Sequence, residues 1–161
     1  MRLHPGHEVG RLWLPSGTIL FGDPAYLGGD GFFRVAARVE AGRYPVTWAP
    51  DGDAALVLRE VETVRWEPQD PGEFYECLNS ERTCFMDTRA CEAFSSCEWL
   101  FEAAETWYTG PSVITDPATG HQVFGFFSGA RAGAHRVWLG RAADGEPTRL
   151  VARHGKGSPL G

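Results

Sequence analysis

The stretch His121-Gln-Val-Phe-Gly-Phe-Phe-Ser-Gly129, followed by His135-Arg-Val-Trp-Leu-Gly140, Ala142-Ala-Asp-Gly-Glu-Pro147 and Thr148-Arg-Leu-Val-Ala-Arg153, decides the fold class. It reads as strand, ligand-sized loop, strand, turn, strand. Runs rich in Val, Phe, Trp and Leu alternate with Gly, Asp and Pro, which suit turns. The strands are expected at 122–127, 135–139 and 148–153.

The same period of two extends upstream. Residues 17–22 are a short apolar run closed by Asp23-Pro24, a turn signal. Phe33, Val35, Ala37 and Val39 alternate with Arg34, Ala36, Arg38 and Glu40, as in a half-buried antiparallel strand. Tyr44, Val46 and Trp48 repeat the pattern, with Pro45 marking an edge or a strand start. Residues 54–66 fit a helical face through Val57, Val61 and Val64, but their β-branched content favours a strand. A loop is expected at 67–72, and short strands at 74–78, 83–86 and 112–115.

The period changes after Asp87, a good helix N-cap. Ala90, Cys91 and Phe94 form a short apolar face, and Ser95 and Glu98 have capping-box spacing. Cys97, Leu100, Phe101, Ala104, Trp107 and Tyr108 then line one face of a helix that Gly110-Pro111 stops. The expected fold is α+β and mostly β: an antiparallel β-sandwich or partly open barrel with one helical segment, about 88–108, packed on it. Residues 1–153 are expected to form a single domain and 154–161 a flexible tail.

Composition bounds the function. The chain has 161 residues, 43% hydrophobic and 22% charged, which suits one soluble domain. Net charge is −6, and no lysine precedes Lys156. Scattered arginines in an acidic chain do not make the basic stripe that nucleic acid requires, so no nucleic-acid partner is expected. No apolar run reaches the roughly 18–20 residues of a membrane span, and the first residues lack a signal-peptide core. A cytoplasmic location with reduced cysteines follows by default.

Candidate chemistry is sparse. Cys77, Cys84, Cys91 and Cys97 lack the close pairs of a structural zinc knuckle, so core packing is read before metal or disulfide roles. No metal and no cofactor are expected. Asp23, Asp87, Asp116 and Asp144 all sit in turn or cap contexts, where aspartate oxygens accept backbone N–H bonds. Asp23 stands out because it closes a strand beside Tyr26 and two glycines. Ser128 lacks a nucleophile elbow, and the histidines show no ligand spacing. Gly28-Gly29-Asp30-Gly31 lacks the helix and lysine of a P-loop.

Four ordered stretches carry a resemblance. They are Ser16-Gly17-Thr-Ile-Leu-Phe-Gly-Asp23-Pro24; Val39-Glu-Ala-Gly42-Arg-Tyr44-Pro45-Val46; Cys84-Phe85-Met86-Asp87; and Asp116-Pro-Ala-Thr-Gly120 through Phe126-Phe127-Ser128-Gly129 to Gly140-Arg-Ala-Ala-Asp144-Gly145. In this order they resemble the bacterial domain of unknown function 4241 family, which implies a small, mostly β protein and no particular activity. Family members typically follow Ser-Gly with Gly-Asp-Gly and an aromatic residue. Here Ser128-Gly-Ala-Arg-Ala-Gly133-Ala-His135 lacks the aspartate and carries histidine at the aromatic position.

The preferred expectation is a non-catalytic binding or interaction module, immunity-like or accessory. Loops at 22–31, 128–135 and 141–147 would meet a protein partner or a small molecule. Asp23, Tyr26, Tyr44, Ser128, Arg131 and His135 are the candidate ligand-binding residues. The alternative is a small hydrolase, with Asp23 as base or metal ligand and Ser128, Arg131 and His135 opposite. A metal-stabilised scaffold is third, and the sequence leaves the oligomeric state open.

Overall fold

Strict alternation sorts the side chains of the long strands onto two faces, and the chain buries apolar residues on both faces of one sheet. The computed structural model describes residues 6–24, 32–49, 53–69, 82–94, 99–127, 135–154 and 159. Within them are eleven strands: β1 (His7–Leu14), β2 (Thr18–Gly22), β3 (Phe32–Arg38), β4 (Gly42–Trp48), β5 (Ala54–Val57), β6 (Arg65–Pro68), β7 (Arg82–Asp87), β8 (Ser112–Thr115), β9 (Gln122–Phe127), β10 (His135–Arg141) and β11 (Pro147–His154). They form a six-stranded sheet ordered β1-β4-β5-β11-β10-β6 and a five-stranded sheet ordered β3-β2-β7-β9-β8. Every pairing is antiparallel.

The two sheets pack face to face. Leu12, Leu14, Val46, Leu56, Leu139 and Leu150 of the larger sheet share one buried cluster with Ile19, Phe21, Phe85, Phe124 and Phe126 of the smaller. Alternate residues of the smaller sheet point outward and meet the helical segment. Cys84, Met86 and Val123 pack there against Ala90 and Phe94 of α1 (Thr88–Phe94), Leu100 of α2 (Trp99–Ala103), and Ala104 and Trp107 of the 3₁₀ turn Ala104–Tyr108. The architecture is a sandwich with a helical layer over one outer face.

The sheets do not close into a barrel. Side chains, rather than a backbone ladder, bridge the side where β6 and β3 are the edge strands. Gln69 Oε1 accepts the Ala36 N–H at 2.7 Å, and Arg141 donates to the Ala36 carbonyl at 3.0 Å and to Glu67 at 3.0 Å. These contacts occupy backbone groups on the open edge of β3, where another chain could otherwise pair. On the opposite side Gln122 of β9 accepts the N–H of Trp13 in β1 at 2.8 Å.

The segment 54–66 is not one strand. β5 ends at Val57 in the middle of the larger sheet, and β6 begins at Arg65 on its far edge. The charged Arg59, Glu60 and Glu62 break the alternation and stay exposed, while Leu58 and Arg59 donate their N–H groups to the Thr148 carbonyl. Glu67 and Pro68, expected in a loop, belong to β6. Pro45 lies in an interior strand, but the β4–β5 ladder ends at Val46 with Leu56. Its missing N–H therefore costs no ladder bond on that side. The helical face is narrower than its spacing suggests. Leu100, Ala104 and Trp107 are buried, whereas Phe101 and Tyr108 are exposed. The strand expected at 74–78 and the capping box at 95–98 lie outside the described residues.

Candidate functional site

Antiparallel pairing gives the sandwich two ends. At one, β2 finishes at Gly22, β7 begins at Arg82, β9 finishes at Phe127, β4 finishes at Trp48 and β10 begins at His135. At the other lie the β3–β4 and β10–β11 connections and the turn between β8 and β9.

The first end carries an aromatic groove of about 300 Å³, lined by Trp48, Trp107, Tyr108, Gly110, Pro111 and Phe127 among others. Three layers build it: Trp48 comes from the larger sheet, Phe127 from the smaller, and Trp107 and Tyr108 from the end of the helical segment. Trp107 is fully buried, and its indole N–H donates to the Ser112 carbonyl at 3.2 Å. Gly125 of β9 admits this ring, since a Cβ there would lie 2.3 Å from it. Tyr108 and Phe127 touch at 5.5 Å between ring centroids, and Trp48 sits 5.5 Å from Phe126. The Arg82 guanidinium lies 5.1 Å from the Tyr108 ring and 3.8 Å from Glu105. Within its lining Tyr108 is 40% exposed and Phe127 38%; on α2, Trp99 and Phe101 are 36% and 43% exposed. Exposed aromatic rings beside a seated arginine have the composition of interface anchor points.

The second end carries a polar cleft of about 500 Å³. Its walls are the β3–β4 connection, with Arg38 and Glu40, and the β10–β11 turn, with Asp144 and Glu146; Tyr44 and Leu58 also line it. The Tyr44 hydroxyl donates to the Glu40 carbonyl. Burial and the Glu40 charge push its pKa upward, so it stays a phenol at neutral pH. The Glu146 N–H, helped by Arg59, holds the Asp144 carboxyl below the usual carboxylate range.

The expected site residues are therefore divided. Asp23 is buried at the groove end, close to Cys84. His135 opens β10 at that same end. Tyr44 and the 141–147 turn belong to the opposite end. Tyr26, Ser128 and Arg131 lie outside the described residues, as do Cys77 and Cys97. Cys84 is buried in the helix-facing core, and its thiol donates to the Gly22 carbonyl at 3.4 Å. Burial, then the charge of Asp23, raises its pKa well above the ordinary thiol value, so it is no nucleophile at neutral pH. Among the described residues no three His, Cys, Asp or Glu side chains converge as metal ligands. None of their helices is long and apolar enough to cross a membrane.

Sequence reading missed Trp48, Tyr108 and Phe127 as a group because each belongs to an apolar pattern that suggests burial. The available signal was the spacing of Leu100, Ala104 and Trp107, which leaves Phe101 and Tyr108 beside the buried stripe. Comparison with protein families, curated proteins and solved structures gave no match to this chain.

Proposed function

We propose that this chain is a non-catalytic binding module, an immunity-like or accessory protein of the bacterial domain of unknown function 4241 family, acting in the cytoplasm. Its protein partner docks at the aromatic groove. The observation that carries this reading is the pairing of Tyr108 and Phe127, 40% and 38% exposed with ring centroids 5.5 Å apart, in the lining of the 300 Å³ groove beside Trp48 and Trp107. Large exposed aromatics scattered singly are ordinary, but a cluster around a concavity is the composition of a contact surface. The excess of acidic residues favours a basic partner. Ser16 and Gly17 from one stretch of the family resemblance meet Asp87 from another, through hydrogen bonds of 2.8–3.1 Å. That contact gives the ordered stretches a shared structural purpose.

The test compares capture from the source cell lysate by the wild-type chain and by a Tyr108→Ala/Phe127→Ala double variant. Proteins bound by the wild type and lost from the double variant support the reading. Recovery of the wild-type chain alone, or identical capture by both, contradicts it. Both substituted side chains are already substantially exposed, so the variant is expected to keep its fold.

A further inference from the structure

The polar cleft at the opposite end has a charge count that selects a ligand. Of its ionic side chains, Arg59 is already neutralised, since its Nη1 donates to both Asp144 oxygens at 3.2 and 3.0 Å. Arg38 donates its Nε to the Ser16 carbonyl at 3.3 Å and keeps its positive charge. Glu40 and Glu146 stand on opposite walls, and among the described contacts neither carboxylate has an ion-pair partner. Two negative charges and one positive remain, for a residual charge of −1. Between the walls the surface is apolar: Leu58 is buried, and Val39, Pro147 and the Tyr44 ring line the same cleft.

We infer that this cleft binds a small zwitterion of net charge +1, in the class of the free basic amino acids. Such a molecule carries one carboxylate for Arg38 and two cationic groups for Glu40 and Glu146. Its alkyl stem covers Leu58 and the Tyr44 ring, where a cation also gains from the ring face. The volume of about 500 Å³ falls within the range of small-molecule sites and leaves room for bridging water. The site is separate from the aromatic groove, so either assignment can fail without the other.

The experiment is an amide NMR titration of the full chain with L-arginine, N-acetyl-L-arginine, L-argininamide and L-alanine. The expected result is saturable millimolar binding of L-arginine that shifts the amides of Glu40, Arg59, Asp144 and Glu146. Acetylation or amidation, which removes one of the three charges, should weaken it. Glu40→Gln and Glu146→Gln should each lower affinity by about two- to fivefold, the worth of a partly exposed ion pair. The Tyr108→Ala/Phe127→Ala variant should bind L-arginine as the wild type does. No saturable shift in the well-dispersed wild-type spectrum overturns the assignment, as does equal binding of L-alanine. Equal binding of N-acetyl-L-arginine also overturns it, since a peptide C-terminus would then serve as well as the free amino acid.

Discussion

Asp87 shows how much one carboxylate can organise. It is fully buried at the end of β7 and accepts hydrogen bonds from the Ser16 N–H, the Ser16 hydroxyl, the Gly17 N–H and the Arg89 N–H. It therefore caps α1 and anchors the β1–β2 turn together. Asp87→Ala strands buried donors and removes the cap, so the expected loss is about 3 kcal/mol. The readout is a lower urea midpoint with unchanged m-value. Its capping role was legible from the sequence, because the helical period begins just after it. The tie to Ser16 was not, because 71 residues separate the two. Cys84 gives a second residue-level test: with its thiol pKa raised, it should resist alkylation in the folded chain and react once urea unfolds it, as located by peptide mass spectrometry. Asp116 gives a third. The Thr119 hydroxyl and then the Ala118 N–H hold its carboxyl below the usual carboxylate range. A depressed folded-state pKa contributes stability above the unfolded value, about 3.9, and that stability is lost as pH falls through the lower folded value. Thr119→Val should move the Asp116 titration toward the ordinary range, measured by carboxyl NMR. It should also shrink the acid-dependent loss of stability that Asp116 contributes, because the folded and unfolded pKa values then lie closer together.

At the scale of elements, one close approach helps seat the helical layer on the smaller sheet, beside the buried cluster that joins them. Trp107 lies against Gly125 with no space for a Cβ between them. Gly125→Ala should displace the ring and loosen Trp99–Tyr108 from β9, at about 1–3 kcal/mol, the usual cost of overpacking. The check is a red-shifted tryptophan emission with the strand signal in circular dichroism retained; unchanged emission and stability would show that the ring is not held this way. Gly17 obeys a related constraint: its φ is +75°, and a Cβ there would lie 1.8 Å from the Val39 carbonyl oxygen. The clean alternation of Phe33 to Val39 was legible because Val35 is buried while Arg34, Ala36 and Arg38 are exposed. Residues 54–66 misled because Val57, Val61 and Val64 share a β-branched composition but not a location. Val57 is buried in β5, while Val61 and Val64 are 43% and 50% exposed. Composition reports a preference for extended backbone, not the strand's neighbour in the sheet.

For the whole molecule, the decisive feature is the separation of the groove and the polar cleft between two ends. β2 and β9 finish and β10 begins at the groove end, whereas Tyr44 and the β10–β11 turn form part of the cleft. No sequence pattern could show this, because which strand ends lie together follows from sheet order and pairing. The groove is likewise a property of three layers meeting, with Trp48, Tyr108 and Phe127 drawn from three different elements. Its aromatics are expected to be covered by a partner in the cell. The most direct measurement is hydroxyl-radical footprinting of Tyr108 and Phe127, comparing the purified chain with the chain in its native lysate. Both rings should be oxidised strongly in the purified chain and markedly protected in the lysate, with exposed residues such as Val61 unchanged. Equal oxidation of the two rings in both settings would contradict a partner at the groove.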